Sequence, residues 1–312
     1  MVAIMTAAMV LSAGFGTRLR PLTDELAKPL MPVGDRSMIA HIVQALRDGG
    51  AGRIVVNTHY RSDDFIRCVE WLGMNINVLH EREILGTAGG IAHAVGVLGP
   101  GSIVVWNGDI WASSLDVERL VPAHRASHAL ALWVVSPRPA GEGTVGLGAN
   151  GAVVRLRGEV FGTEMNGGDF IGIQVLGEEA RSRLPERGCL VADVALPILR
   201  AGGQIASFRF DGVWHDVGEP GALLCANLEW LKHRSLGSWV APDASVAEGV
   251  VLERSLVGSG ARVRGAGVVR ECVVLAGAEL AAPAERVIQG KKASMVVTGS
   301  VPSVLSPPTT PT

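Results

Sequence analysis

Nowhere along the 312 residues does a run of lysine or arginine gather, and the formal net charge is only −2. That argues against nucleic acid as a partner, because such binders meet phosphates with a basic face; any anion site must be local. No uninterrupted apolar stretch suits a membrane span. The start, MVAIMTAAMVLSAG, is apolar and rich in small residues but has no basic segment ahead of it. Cleavage there would remove the glycine turn that follows, so it reads as extra start residues plus a first strand. The four cysteines, Cys68, Cys189, Cys225 and Cys272, show no CxxC or metal spacing. They read as reduced core thiols of a cytoplasmic protein.

What is present is a globular composition, 48% hydrophobic and 19% charged. The length suits one domain of roughly 200–250 residues with a smaller appendage. Residues 9–33, MVLSAGFGTRLRPLTDELAKPLMPV, organise the rest. An apolar run stops at Ser12, Ala13, Gly14 and Gly16, where lack of bulk lets backbone amides approach an anion. Arg18 and Lys28 follow as two cations aimed at a polyphosphate. The stretch is not a Walker loop and lacks the third glycine of the dinucleotide fingerprint, so GxG after a strand leaves nucleotide binding open by itself.

The periodicity predicts a helix over 38–48, a strand over 53–57, a helix over 62–71 and a strand over 76–80, the opening of a doubly wound α/β sheet. A polar loop then reaches Gly86, Thr87, Gly89 and Gly90 at a helix start, either a helix cap or an edge where a base or sugar lies on backbone. The strand SIVVWNGDIW ends in Asp109, which as a carboxylate at a strand's carboxyl end faces the ligand crevice, or is a plain turn residue. TVGLGANGAV reads as strand, NG turn, strand. Residues 178–184, 191–200 and 221–233 read as helices, with Asp193 a helix or pocket-wall residue and Ala222, Leu223, Ala226, Leu228 and Leu231 the apolar stripe of the last. From Trp239 onward, aliphatics recur at roughly six-residue spacing, as in a few coils of a β-helix, with a β-hairpin appendage as the alternative. The tail SVPSVLSPPTTPT reads as disordered.

GFGTRLRPLT followed by KPLMPVGDRSMIAHIVQAL resembles the signature of the nucleoside-diphosphate-sugar pyrophosphorylases, the sugar-1-phosphate nucleotidylyltransferases. LGTAGGI, NGD, GDFIGIQV and VWHDVGEP are similar to further elements of that family in the same order. The resemblance implies a Rossmann-like doubly wound mixed sheet with a short C-terminal left-handed β-helix. It implies a catalytic domain over 1–235, β-helix-like coils over 236–290 and a tail over 291–312. By the same resemblance Ser12, Ala13, Gly14, Gly16, Thr17, Gly86 and Thr87 bind the nucleotide, Arg18 and Lys28 hold its phosphates, and Asp109 and Asp216 hold Mg2+. Glu81 falls where the family reads the base; a carboxylate only accepts, which suits the two donors of guanine and hence GTP. Gly146, Asp169 and Gly172 fall at the sugar. The family's EKP lysine is missing, LRGEVFG standing in its place, so Arg155 or Arg157 is the expected substitute. His215 is a weak candidate base, since a sugar phosphate is already an anion and needs none. The implied reaction makes a nucleotide sugar and pyrophosphate from a nucleoside triphosphate and a sugar 1-phosphate. The chain looks most similar to mannose-1-phosphate guanylyltransferases. N-acetylmuramate-1-phosphate uridylyltransferase, heptose-1-phosphate guanylyltransferase and a non-catalytic regulatory paralogue are the alternatives. A β-helix end often serves subunit contacts, so a homo-oligomer remains open.

Overall fold

The computed structural model describes residues 7–71 and 73–298. The expected start residues 1–6 and most of the expected disordered tail, 299–312, lie outside the described residues. The chain divides into two compact units, Met1–Gly14 with Ile42–Trp214, and Phe15–His41 with His215–Thr312. The signature segment thus falls in the unit that also holds the C-terminal coils.

In the first unit ten strands make one mixed sheet. Asn77–His80, Ile54–Thr58, Ala7–Leu11 and Ile103–Asn107 lie side by side and parallel, and Asn166–Leu176 follows antiparallel. There the sheet forks. Val145–Leu147, Val153–Leu156 and Glu159–Val160 meander from one part of that long strand, and Ala131–Arg138 with Ile205–Arg209 extend from the other. The central parallel strands read AAMVL, IVVNT and IVVWN, the nearly continuous aliphatic run that a sheet covered on both faces requires. Parallel neighbours need crossovers, supplied by the helices Met38–Asp48, Ser62–Trp71 and Gly86–Leu98. The first two match the expected bounds because their signals are local. Met38, Ile39, Ile42, Val43 and Leu46 are all buried at helical spacing, and Asp63 and Asp64 occupy the first turn of the second.

The expected hairpin is present: Val145–Leu147 pairs antiparallel with Val153–Leu156, and Asn150 Oδ1 accepts the Ala152 N–H at 3.1 Å. Two helix expectations are corrected. The helix at 178 is a single turn, Glu178–Arg181, and the next begins as a π-type turn, Leu190–Ala195, before Leu196–Arg200. In register Leu11 stands opposite both Asn57 and Asn107, so the loops after three strands leave the sheet at one edge. Ligands bind at that edge in such folds.

In the second unit, Phe15–His41 folds as three short turns, Thr17–Leu19, Leu22–Asp24 and Lys28–Leu30, and a small hairpin of Pro32–Val33 with Arg36–Ser37. The helix Pro220–His233 buries more of its circumference than its expected stripe, including Leu224, Asn227 and Trp230. The reason is the hairpin. Asn227 Oδ1 accepts the Gly34 N–H at 2.8 Å while Nδ2 donates to Pro32 O at 3.0 Å, and the Trp230 indole fills the space under Gly34.

Beyond it the strands stack in parallel: Trp239 on Leu256 on Val273, and Ser245 on Arg262 on Glu279, a step of 17 residues. Val257, Val263, Val269, Val274 and Leu280 fill the interior. Parallel pairing rules out the β-hairpin alternative for these residues. The tail expectation starting at 291 is corrected, since Ser294–Val296 closes the stack antiparallel to Val287–Gln289. Cys225 and Cys272 are core thiols as expected, with burial pushing Cys225 up to about 11; Cys68 and Cys189 are only half-buried. Among the described residues no helix is long and apolar enough to cross a membrane.

Candidate active site

In the first unit the site is built on the sheet edge where Leu11 and Asn107 end their strands. Gly108 donates its N–H to Leu11 O at 2.8 Å, which draws the two chain ends together. Only glycine fits, because a Cβ at 108 would stand 2.2 Å from Ser12 Oγ. The next residue, Asp109, thereby emerges half-buried alongside the start of the Ser12, Ala13 and Gly14 loop. Ser12 Oγ is buried and, among the described residues, has no hydrogen-bond partner. A buried hydroxyl in that state is unfavourable unless a polar ligand meets it.

Ser12 is fixed from the other side as well. Its N–H donates to Asn57 Oδ1 at 2.8 Å, Asn57 Nδ2 donates to Glu81 Oε1 at 2.6 Å, and the Leu85 N–H reaches Glu81 Oε2 at 3.1 Å. Asn57 is 3% exposed and Glu81 1%. This corrects the base-reading expectation for Glu81. A carboxylate that is buried needs its own donors, and this one has spent both oxygens on the chain. Glu81 acts instead as the anchor of a chain of bonds that holds the loop at Ser12. Asn57 was missed by the sequence reading, although a polar residue closing an apolar strand is the same signal that singled out Asp109. Glu81→Ala is expected to cost about 3 kcal/mol in urea denaturation, the penalty for stripping buried donors of a charged acceptor. The ratio of activities with different nucleobases should stay as it was; a changed ratio with unchanged stability would return Glu81 to the base.

The glycine-rich edge is likewise occupied by the chain itself. A Cβ at Gly86 would lie 2.3 Å from Gly188 O, and one at Gly89 2.5 Å from Glu186 O. Ala88 N–H donates to Gly188 O at 2.9 Å, and Thr87 Oγ1 accepts the Leu190 N–H at 2.8 Å. Residues 186–190 therefore pack on the helix start, and of the two sequence readings the helix-cap one describes these contacts. Asp193 belongs to the same turn, accepting the Cys189 N–H at 2.7 Å.

Of the residues expected at the sugar, Gly172 sits at a bulge of its strand, 2.6 Å between a would-be Cβ and Asn107 Nδ2, which brings it next to the Asp109 loop. Asp169 and Gly146 both make contacts within the chain. Asp169 Oδ2 accepts Arg138 Nε–H at 2.7 Å and Oδ1 the Thr144 N–H at 3.2 Å, so it braces the hairpin. The Cβ side of Gly146 is filled by Glu164 and Arg155. Arg155 does not replace the missing lysine: Nε and Nη2 grip Glu164 at 2.7 and 3.1 Å, while Nη1 and Nη2 also donate to Gly143 O and Glu142 O. The pairing holds the Glu164 carboxyl below its usual range. Arg157 is exposed, with Nη2 3.9 Å from Cys189 Sγ, and is the cation of the two that stays accessible.

In the second unit the signature loop folds on itself. Thr23 Oγ1 donates to Gly16 O at 3.0 Å, and a Cβ at Gly16 would stand 3.2 Å from Lys28 Cβ, so Lys28 lies against the loop's second glycine. Thr17 and Arg18 open the following turn, both exposed. Arg18 Nη2 is 3.9 Å from Asp216 Oδ2, the side chains 63% and 48% exposed. Gly218 leaves the room for this, since a Cβ there would touch both groups. So loose and exposed a pair is worth less than about 1 kcal/mol, which allows a phosphate to take over the guanidinium. Burial lowers the pKa of His215 against the opposing effect of Glu229.

Among the described residues no group of three or more His, Cys, Asp and Glu side chains gathers around one point. Mg2+ takes one or two carboxylates and completes its shell with water and substrate phosphates, so it does not require such a cluster. Asp109, the residue after the Gly108 that meets the Ser12 hydroxyl, is a carboxylate that would fit that role.

The family model described as nucleotidyl transferase matches residues 7–233. The mannose-1-phosphate guanyltransferase of Aspergillus fumigatus is 32% identical over 226 residues, 68% of this chain and 61% of that protein. The chain thus spans about three fifths of that relative's length. The mannose-1-phosphate guanyltransferase of Schizosaccharomyces pombe is 31% identical over 262 residues, 78% of this chain and 70% of its own. Among solved structures, HddC from Yersinia pseudotuberculosis complexed with GMP-PN superposes with a TM-score of 0.60 at 21% identity, over 72% of this chain and all of that one. This likeness concerns the fold.

Proposed function

The chain belongs to the nucleotidyl transferase family, and from that premise we propose that it joins GTP and mannose 1-phosphate into GDP-mannose and pyrophosphate. The observation that carries the reading is the Gly108 contact, which sets a carboxylate, Asp109, beside the small-residue loop suited to a nucleotide. The choice of base and sugar leans on the named relatives, since Glu81 does not present itself to a base.

In the reaction an oxygen of the sugar phosphate attacks the α-phosphorus in line, the bond to the bridging oxygen breaks, and pyrophosphate departs with that electron pair. No covalent enzyme intermediate is needed. The obstacle is repulsion between two polyanions and the growth of charge on the leaving group. Arg18 and Lys28 answer it by holding phosphate oxygens, the guanidinium turning from Asp216 to the β and γ groups. The amides of the Ser12, Ala13 and Gly14 loop, fixed through Asn57 and Glu81, position the nucleotide. Asp109, with Asp216 as the second carboxylate, would hold magnesium, which supplies charge neutralisation and alignment of the reacting phosphates. With Arg155 committed elsewhere, Arg157 is the proposed cation at the sugar phosphate.

The test is pyrophosphate release from purified protein with magnesium, each of the four common nucleoside triphosphates and a panel of mannose, glucose, heptose and N-acetylmuramate 1-phosphates. GTP with mannose 1-phosphate should exceed other pairs by about 10-fold or more, the discrimination that a hydrogen-bonding site gives at the least. No release from any pair would sink the catalytic reading and favour a regulatory, nucleotide-sugar-binding role.

A further inference from the structure

The last turn of the C-terminal coils reaches the signature loop through one carboxylate. Glu25 Oε2 accepts the Lys291 N–H at 2.8 Å and Oε1 the Lys292 N–H at 2.9 Å. Both donors are main-chain amides in the reversal between Val287–Gln289 and Ser294–Val296, which Gly290 N–H closes on Ala293 O at 2.7 Å. Successive amides turned toward one point make a small anion cradle, here filled by a side chain more than 260 positions earlier. Glu25 in turn belongs to the loop's working part. It caps the Leu22–Asp24 turn through its own N–H on Leu22 O, and Thr23 of that turn holds Gly16 O. Three residues on, Lys28 opens the next turn against Gly16.

We propose that Glu25 is a positioning residue, clamping the signature loop to the final coil so that Gly16, Arg18 and Lys28 are arranged for a polyphosphate before it arrives. The proposal rests on the reading that this loop receives the triphosphate. Bonds to an ionised acceptor are about twice as strong as neutral ones, and two of them bridge the ends of this unit. Without them the loop samples other arrangements, and affinity falls with the fraction that remains competent. The coils are then part of the binding apparatus rather than an attachment to it.

The full chain with Glu25→Ala, Glu25→Gln, and separately Lys291→Ala and Lys292→Ala tests this by hydrogen exchange without ligand and by steady-state kinetics. With Glu25→Ala, amides of residues 15–30 and 287–296 should exchange about 10-fold faster or more while the large sheet keeps its protection. KM for the triphosphate should rise about 5–10-fold and that for the sugar phosphate stay level. Glu25→Gln, whose single amide oxygen can accept, should recover part of both effects. The lysine variants keep their amides and should behave as the parent. Unchanged exchange over 15–30 in both Glu25 variants overturns the clamp, as does an equal effect from either lysine variant, which would point to charge attraction instead. If the parent chain releases no pyrophosphate yet the loop loosens in Glu25→Ala, the transferase reading falls and the clamp stands.

Discussion

Asp109→Ala should abolish turnover, lowering kcat by about 10³-fold or more, the scale of losing charge stabilisation at a reacting phosphate. The argument is one of position. Gly108 brings the ends of two central strands within a hydrogen bond of each other, and Asp109 is the first side chain beyond that junction able to meet a cation. Asp109 is half-buried at the sheet edge and is not part of the apolar core beneath. The measurements are pyrophosphate release at saturating substrates and the urea midpoint of the same preparation. Near-parental activity would refute the metal assignment, whereas a collapsed midpoint would show Asp109 to be a structural residue. Asp109→Asn retains the volume and removes the charge, and should be almost as inactive.

Arg18→Ala should lower kcat by about 10²-fold, as for loss of a donor that meets charge developing in the transition state. The resting structure shows why the effect should fall on kcat and not on stability. Arg18 is mostly exposed, and its pairing with Asp216 at 3.9 Å is too loose and wet to hold the fold together. Urea denaturation should therefore shift by under about 0.5 kcal/mol. Arg18→Lys should regain only part of the rate, because an ammonium cannot bridge two phosphate oxygens as a planar fork does. A kcat within threefold of the parent in Arg18→Ala would remove the residue from the reaction.

Much of the fold is legible in the chain. The helices Met38–Asp48 and Ser62–Trp71 have the bounds expected of them because apolar spacing and first-turn acids are written within a dozen neighbouring residues. The parallel coils follow from repeated aliphatics for the same reason. Of the charged groups expected to act, Arg18, Lys28, Asp109 and Asp216, the structure places Arg18 with Asp216 and Lys28 with Gly16.

Sequence by itself determined which residue types stand where glycine turns, strand ends and coils must be, since those depend on local sterics and periodicity. Tertiary structure alone decided what each polar group faces. Glu81 is an anchor for Asn57 and the Leu85 amide because burial turned its two oxygens to the chain, and Arg155 is spent on Glu164 and three carbonyls that hairpin folding brings to it. Glu25 meets two amides from the far end of the chain. Every residue but proline carries the same N–H and every residue the same carbonyl, so no pattern of side chains announces where they will point. Only the packing that sets those groups in space assigns a carboxylate to a substrate or to the protein.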